Sequence, residues 1–358
     1  MPGVYISYPF CSQKCTYCNF ASGVMPASLE IEYIDALAAE ISAHDWKFVP
    51  DTVYFGGGTP SRMDAGTLQR ILAGIPGYPW TEATMEAAPG KLAPAMWRDH
   101  GINRVSLGVQ SFIENELRQT GRKHTAEVVE KEVAELRAAG IENINIDLIA
   151  GLAYQTEASW RESLDWVERL DPPHVSVYML EVDEDSRLGL EILGQGSRYG
   201  ARHVPNDDLA ADLYEIAVDR LPHNRYEISN FARPGWESRH NLKYWRLHPY
   251  VGFGADAHGF DGHLRTQNVE TANEYVARWK ARQTVRLSTA PASLAEERFF
   301  VRLRLLEGVK PARDEWARFE RPISRMLGEG LLEREGAALR LTRRGVLLSN
   351  EVFQEFLT

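Results

Sequence analysis

Apolar residues along the first 180 positions keep two alternating rhythms. Short runs rich in β-branched residues have the length and composition of strands: "VYISY" (4–8), "DTVYFGG" (51–57), "ATMEAA" (83–88), "RVSLGVQ" (104–110), "NINIDLIAG" (143–151) and "HVSVYML" (174–180). Between them, over about 28–46, 64–74, 91–99, 125–139 and 156–170, apolar residues recur at three and four, which predicts amphipathic helices. Asp64, Thr125 and Thr156 stand where N-caps are wanted, and Gly140 follows "AELRAA" as a C-terminal stop. Strand then helix, six times over, predicts an α/β fold with a parallel sheet, because a parallel crossover needs a covering helix. The sheet closes into a partial barrel or stays open and doubly wound. In either case ligands belong at the C-terminal ends of the strands.

The remainder is patterned differently. Residues 183–206 are rich in glycine and charge and read as a connecting loop, followed by a helix over about 207–221 capped near Asn206 or Asp207. Residues 226–265 mix aromatics with glycine, a helix follows near 271–282, and "STAPAS" (288–293) marks a boundary. Beyond it the pattern predicts a helix from Ser293, another over about 312–329, a hairpin turning on Glu335 and Gly336, and a last helix in "RRGVLLSNEVFQEFL". Helix, hairpin, helix suggests a winged-helix-like α+β unit.

Charge narrows the partners. The 358 residues carry a formal net charge of −10, which speaks against generic nucleic-acid binding. Residues 278–344 depart from this, with 16 Lys and Arg against 9 Asp and Glu. That segment reads as a solvated basic face, suited to docking on an anionic partner or a membrane surface. No apolar run approaches the roughly 18 residues of a membrane span, and "MPGVYISYPF" lacks the charged start and apolar core of a signal peptide. A cytoplasmic location is expected.

All three cysteines fall in "PFCSQKCTYCNF" (9–20), in the loop after the first strand. An odd number of clustered thiols in a chain with no others suits a reducing compartment and metal or redox chemistry. Cys11, Cys15 and Cys18 follow C-x3-C-x2-C. Structural zinc wants four ligands, and the nearest fourth, His44, is predicted on the following helix. A cubane iron-sulfur cluster has four irons, so three cysteines leave one iron open to an outside ligand. A second motif, "VYFGGGTPS" (53–61), places three glycines at a strand's end, where backbone can meet a ligand and positive φ is allowed. It is not a P-loop, and a dinucleotide fingerprint would need glycine in place of Ser61. Glu86, Gln110 and Asp147 stand late in otherwise apolar strands, where a barrel presents side chains to a ligand, and Arg122 could reach a carboxylate there.

The cysteine spacing, with Tyr17 just before the last cysteine, resembles the signature of the radical S-adenosylmethionine (SAM) family. "RVSLGVQSF", "INIDLIAGL", "YEISNFARPG", "HNLKYW" and "GFGADAHG" are similar, in order, to its coproporphyrinogen III oxidase-like branch, which holds anaerobic porphyrinogen oxidases and heme chaperones. The resemblance implies a partial (β/α)6 barrel core over 1–225, a connecting segment over 226–288 and a C-terminal domain over 289–358. It implies a 4Fe-4S cluster on the three cysteines, with SAM chelating the open iron and cleaved there to a deoxyadenosyl radical. By position, SAM contacts fall on Tyr5, Tyr17, Gly57, Gly58, Thr59, Glu86, Gln110, Arg122 and Asp147. Within the branch, the oxidases carry a further cysteine two positions after the third ligand and a longer N-terminal extension. Here that position is Phe20, and the first cysteine comes at residue 11, which points to the chaperone side: heme bound and delivered to an acceptor hemoprotein. "RHNLKYW" (239–245) resembles the HNxxYW motif that those chaperones use for heme, with His240 as ligand and His248 and His258 as nearby alternatives. The chain departs from the branch at Ser7, where histidine is usual, and in "EAAPG" and "GLAYQT".

Overall fold

The computed structural model describes residues 1–357. β1 (Gly3–Tyr8), β2 (Thr52–Gly57), β3 (Glu82–Ala87), β4 (Arg104–Gln110), β5 (Asn143–Ala150) and β6 (His174–Met179) pair in parallel, in chain order. Their crossovers carry α1 (Ala27–Ala43), α2 (Ala65–Leu72), α3 (Pro94–Asp99), α4 (Glu114–Thr120), α5 (Ala126–Ala138) and α6 (Glu157–Leu170). Asp64 caps α2 by accepting from Thr67 N at 2.7 Å, and Thr156 and Ser159 form a capping box on α6. Thr125 has N-cap geometry but makes no side-chain cap bond. The seven-residue α4 carries too little apolar periodicity to announce itself in the sequence.

One face of the sheet is apolar and lies under the helices: Val53 and Phe55, Val105 and Leu107, Ile144 and Ile146, Val175 and Val177 are all fully buried. The other face is polar along its whole length, through Thr52 and Tyr54, Thr84 and Glu86, Arg104 and Ser106, Asn145 and Asp147, His174 and Ser176. These side chains meet one another: Ser106 Oγ donates to Asp147 at 3.0 Å, and Asn145 Nδ2 to Ser176 Oγ at 2.9 Å. The sheet therefore curls into a partial barrel with a polar lumen. Polar residues expected only late in apolar strands turn out to alternate from each strand's first residue. A parallel strand covered on both faces by helices would be apolar throughout, so the alternation itself marks the lumen.

The stretch 183–206, expected as a loop, holds α7 (Arg187–Leu193), whose Gly189 N donates to Ser186 Oγ at 2.9 Å, and a 3-10 segment (Arg198–His203). After α8 (Asp207–Arg220), capped by Asn206, β8 (Asn230–Ala232) adds antiparallel to β6, and β7 (Asn224–Arg225) adds antiparallel to β8 at the edge. α9 (Arg239–Trp245) then crosses the N-terminal ends of the strands, and β9 (Tyr250–Phe253) pairs in parallel with β1. β10 (His258–Phe260), β11 (Leu264–Asn268), α10 (Ala272–Lys280) and β12 (Arg286–Pro291) follow. Residues 226–288 thus extend both edges of one twelve-stranded sheet, and α9 floors the barrel between them.

The C-terminal unit contains α11 (Leu294–Phe300), α12 (Arg313–Arg318), α13 (Glu320–Gly328), the hairpin β13 (Leu332–Glu335) and β14 (Ala338–Leu341), α14 (Arg343–Leu347) and α15 (Ser349–Gln354). Two helices expected to be continuous break, at Phe319 and Leu348, where the backbone leaves the helical region. Phe319 turns inward onto Phe299 and Phe356, with centroids 4.6 and 5.6 Å away. Many of the segment's cations are already matched: Arg298, Arg304, Arg318, Arg325, Arg340 and Arg343 each lie within 4 Å of a carboxylate. The basic face is correspondingly weaker than the sequence suggests.

Candidate cofactor site and histidine motif

The C-terminal ends of β1 to β5 gather the motifs that the sequence singled out. Cys11, Cys15 and Cys18 lie in the loop between β1 and α1, with Cys11 buried and the other two partly exposed. Cys11 N donates to Gly23 O, and Gly23 N to Pro9 O, both at 2.9 Å, which closes the loop on itself. Thr16 N donates to Thr120 O at 3.2 Å and Leu188 N to Thr16 O at 2.9 Å, so α4 and α7 hold its far side. Burial pushes the Cys11 thiol up; hydrogen bonds from Ser22 and Thr59 oppose this, and the neighbouring thiols add to it. Cys18 Sγ also lies 3.9 Å from Ser22 Oγ. Three soft donors on one short loop fit a cluster that takes one thiolate on each of three irons. Since the ligands must be thiolates, filling the site releases protons. Among the described residues, no three His, Cys, Asp or Glu side chains converge on one point as a single ion would require. A cubane, whose ligands sit on separate irons, makes no such demand. Phe20, at the loop's tip, is 66% exposed.

The glycine motif is sewn to this loop. Gly58 N donates to Tyr8 O at 2.8 Å and Thr59 N to Phe10 O at 2.9 Å. Gly57 has φ 108°, a region that disfavours side chains, and its N–H donates to Glu86 at 3.1 Å. A Cβ on Gly58 would sit 2.7 Å from Phe10 O and 2.8 Å from Tyr8 O, so only glycine lets the two loops approach. Gly56 makes room in the same way for the Tyr5 ring. At the end of β4 a bulge between Gly108 and Gln110 gives Gln110 a φ of 71° and folds its amide back over Gly108. Arg122 Nη1 donates to Gly108 O at 2.6 Å. Burial works against the Arg122 charge, but Tyr17 and Cys15 beside it outweigh that and raise its pKa.

Glu86 accepts from Tyr54 Oη at 2.8 Å as well as from Gly57 N. Burial, with Asp147 across the lumen, lifts its carboxyl from 4.5 to about 7. Asp147 is raised too, by burial, against hydrogen bonds from Ser176, Ser106 and Asn145. Two carboxyls, a guanidinium and an amide around a soft-donor loop complement a zwitterionic sulfonium ligand: carboxylates for its cationic centres, Arg122 for its carboxylate. Of the nine positions expected to contact SAM, Gly57 bonds to Glu86, Gly58 and Thr59 bond to the cysteine loop, Arg122 lies beside Cys15 and Tyr17 and reaches the Gly108–Gln110 bulge, and Asp147 acts on Glu86, whereas Tyr5, in register with Tyr54, lies deeper. The sequence reading missed Tyr54, Arg104, Ser106, Asn145, His174 and Ser176, which line the lumen beneath. Their signal was the two-residue alternation in R-V-S-L-G-V-Q, N-I-N-I-D-L and H-V-S-V-Y-M.

The HNxxYW motif lies at the other end of the barrel, on α9. His240 is wholly buried, with Nδ1 2.8 Å from Thr52 Oγ1 and Nε2 2.7 Å from Tyr244 Oη, and its ring stacks on Tyr54 at 5.2 Å. Burial, with Lys243 and Arg104 nearby, lowers its pKa to about 3, so the ring is neutral. In this arrangement neither ring nitrogen faces an outside ligand. Glu82, missed in the sequence, accepts from Arg239 N at 2.9 Å and His240 N at 2.8 Å. Ser238 Oγ accepts from Asn241 N at 3.3 Å, and Lys243 Nζ lies 2.6 Å from Asp51 Oδ1. His248 and His258 are exposed.

Comparison with known proteins agrees with this geometry. A radical SAM superfamily domain matches residues 5–167 and a HemN C-terminal domain residues 290–348. The heme chaperone HemW of Lactococcus lactis is 34% identical over 371 positions, covering 99% of this chain and 96% of its own. That of Bacillus subtilis is 33% identical, covering 100% and 99%, and that of Escherichia coli 33%, covering 72% and 69%. Among solved structures, coproporphyrinogen III oxidase (HemN) of Escherichia coli superposes with a TM-score of 0.82, spanning 99% of this chain and 90% of its own, at 20% identity: a likeness of fold. End-to-end similarity at this identity, on a partial barrel whose strand ends gather three cysteines, a glycine motif and two lumen carboxyls, places the chain in the HemW family of radical SAM proteins.

Proposed function

We propose that this protein is a heme chaperone that binds heme and hands it to an acceptor hemoprotein, and that it also holds a 4Fe-4S cluster and SAM at the barrel mouth. The observation that carries this reading is the similarity to HemW proteins along essentially the full length of both chains. The oxidase reading rests on the fold it shares with HemN, and a fold alone does not assign an activity.

In this proposal Cys11, Cys15 and Cys18 hold the cluster; Gly57, Gly58 and Thr59 supply backbone to SAM; and Glu86, Gln110, Arg122 and Asp147, with Tyr5 and Tyr17, orient it. The cluster, when bound and reduced, supplies one electron at an iron open to SAM. The chain's own part is to gather two carboxyls and a guanidinium at the ends of β3, β4 and β5. Because Glu86 has its carboxyl near 7, SAM affinity is expected to rise between about pH 6 and 8, as the carboxyl ionises opposite a cationic ligand. Glu86→Gln should weaken SAM binding about tenfold at pH 8 and flatten that profile, as calorimetric titration would show. The SAM-free protein should lose stability over pH 4.5–7: the unfolded chain ionises first, while the native carboxyl keeps its proton.

Heme recognition is assigned to the HNxxYW segment, with His240 as the iron ligand. Hemin titration of the reconstituted protein should give a Soret band that His240→Ala strongly reduces, followed by transfer to an apo-hemoprotein. Unchanged hemin binding in His240→Ala, with loss in His248→Ala or His258→Ala, would move the ligand to an exposed histidine. No hemin uptake by the wild type would overturn the chaperone reading.

A further inference from the structure

For an iron to take His240, one ring nitrogen must present a lone pair to it, and the seated ring has none to spare. Thr52 and Tyr244 engage the two nitrogens, Tyr54 covers one ring face, and no part of the side chain reaches solvent. The backbone is held as firmly. Glu82, itself 2% exposed, takes the first two free N–H groups of α9, and Tyr226 Oη accepts from Ser238 N at 3.2 Å. The far end is fixed by the Lys243 to Asp51 pair and by Arg304 stacked 4.5 Å over Trp245. Thr52 and Glu82 are the first residues of β2 and β3, so the holding groups belong to the rigid barrel and the held groups to a seven-residue helix.

We infer that Glu82 and Thr52 are positioning residues that latch α9 against the barrel floor with His240 sealed, and that heme is taken only by the population in which α9 has opened. The inference rests on the proposal that the HNxxYW segment takes the heme. Opening must precede ligation, so the apparent affinity is the intrinsic one reduced by the open fraction, and the uptake rate is bounded by the rate of opening. A charge-assisted hydrogen bond is among the stronger local contacts, so loosening the Glu82 cap should enlarge the open fraction about tenfold, and removing the Thr52 hydroxyl about fivefold. Glu82→Gln keeps one acceptor and the side chain's volume; Thr52→Val keeps the shape.

The test is stopped-flow hemin binding to the full-length reconstituted protein, with hydrogen exchange of the α9 amides in the hemin-free state. In the wild type the uptake rate should level off at high hemin concentration. The plateau should rise about tenfold in Glu82→Gln and fivefold in Thr52→Val, with α9 amides exchanging faster by similar factors, while the amides of β4 and β5 and the melting temperature change little. A rate that stays linear in hemin and is indifferent to both substitutions, while His240→Ala abolishes binding, overturns the latch and leaves the heme assignment standing. Full binding in His240→Ala overturns both. If Glu82→Gln lowers melting sharply, the Thr52→Val plateau and the wild-type exchange rates decide alone.

Discussion

Cys15→Ala is expected to abolish cluster assembly. The chain has three cysteines, all in one loop, and no described His, Cys, Asp or Glu group converges with them to replace a lost ligand. Two thiolates leave two irons of a cubane without protein ligands, a set that does not survive in water. Because Cys15 is partly exposed in a loop fastened mainly by backbone hydrogen bonds, the fold itself should persist. Iron and acid-labile sulfide analysis after anaerobic reconstitution should therefore fall to near background, with the visible charge-transfer absorbance, while far-ultraviolet dichroism stays that of the wild type. Wild-type iron content in this variant would remove Cys15 from the ligand set.

Gly58→Ala is the second large effect, and it works through backbone. The added Cβ would meet Phe10 O at 2.7 Å, Tyr8 O at 2.8 Å and Phe10 N at 2.9 Å, none of which can rotate away as a side-chain tip could. Relief requires the glycine loop and the cysteine loop to part, which strains the bonds from Gly58 N to Tyr8 O and from Thr59 N to Phe10 O. Such overpacking costs about 1–3 kcal/mol. The functional cost should be larger, because Cys11 follows Phe10 directly and a shift of an ångström between cluster and SAM groups disables the pair. SAM binding should fall more than tenfold, read by calorimetry, and melting by a few degrees. Gly23→Ala, in the cysteine loop with open space where its Cβ would go, is the control and should retain cluster and SAM. Equal losses in both variants would mean that the two paired loops tolerate no substitution and that the close approach at Gly58 is not special.

These two residues show where the sequence is readable. Cys15 and Gly58 lie in motifs whose chemistry is local: a thiolate count and a glycine run at a strand's end. The six strands were legible for a related reason, since most are short β-branched runs between caps and glycines. What escaped reading depends on distant pairing. Glu82 is an ordinary acidic residue until α9, 157 positions later, lays its N–H groups on it. His240 in "HNLKYW" looks like an available ligand, and only the fold brings Thr52 and Tyr54 against it. The polar alternation in β4 to β6 was present in the sequence, and treating the strands as apolar hid the lumen. Phe319 and Leu348 break their helices because inward packing of the C-terminal unit overrides a periodicity that would have carried on.

A heme chaperone takes up heme and leaves porphyrinogen alone. Anaerobically reconstituted protein, with SAM and a reductant, should be offered hemin and coproporphyrinogen III in one vessel, and both fates followed together. The expected result is heme bound in a stoichiometric complex, with the porphyrinogen's propionates intact. Catalytic conversion to protoporphyrinogen, with hemin left in solution, would contradict it.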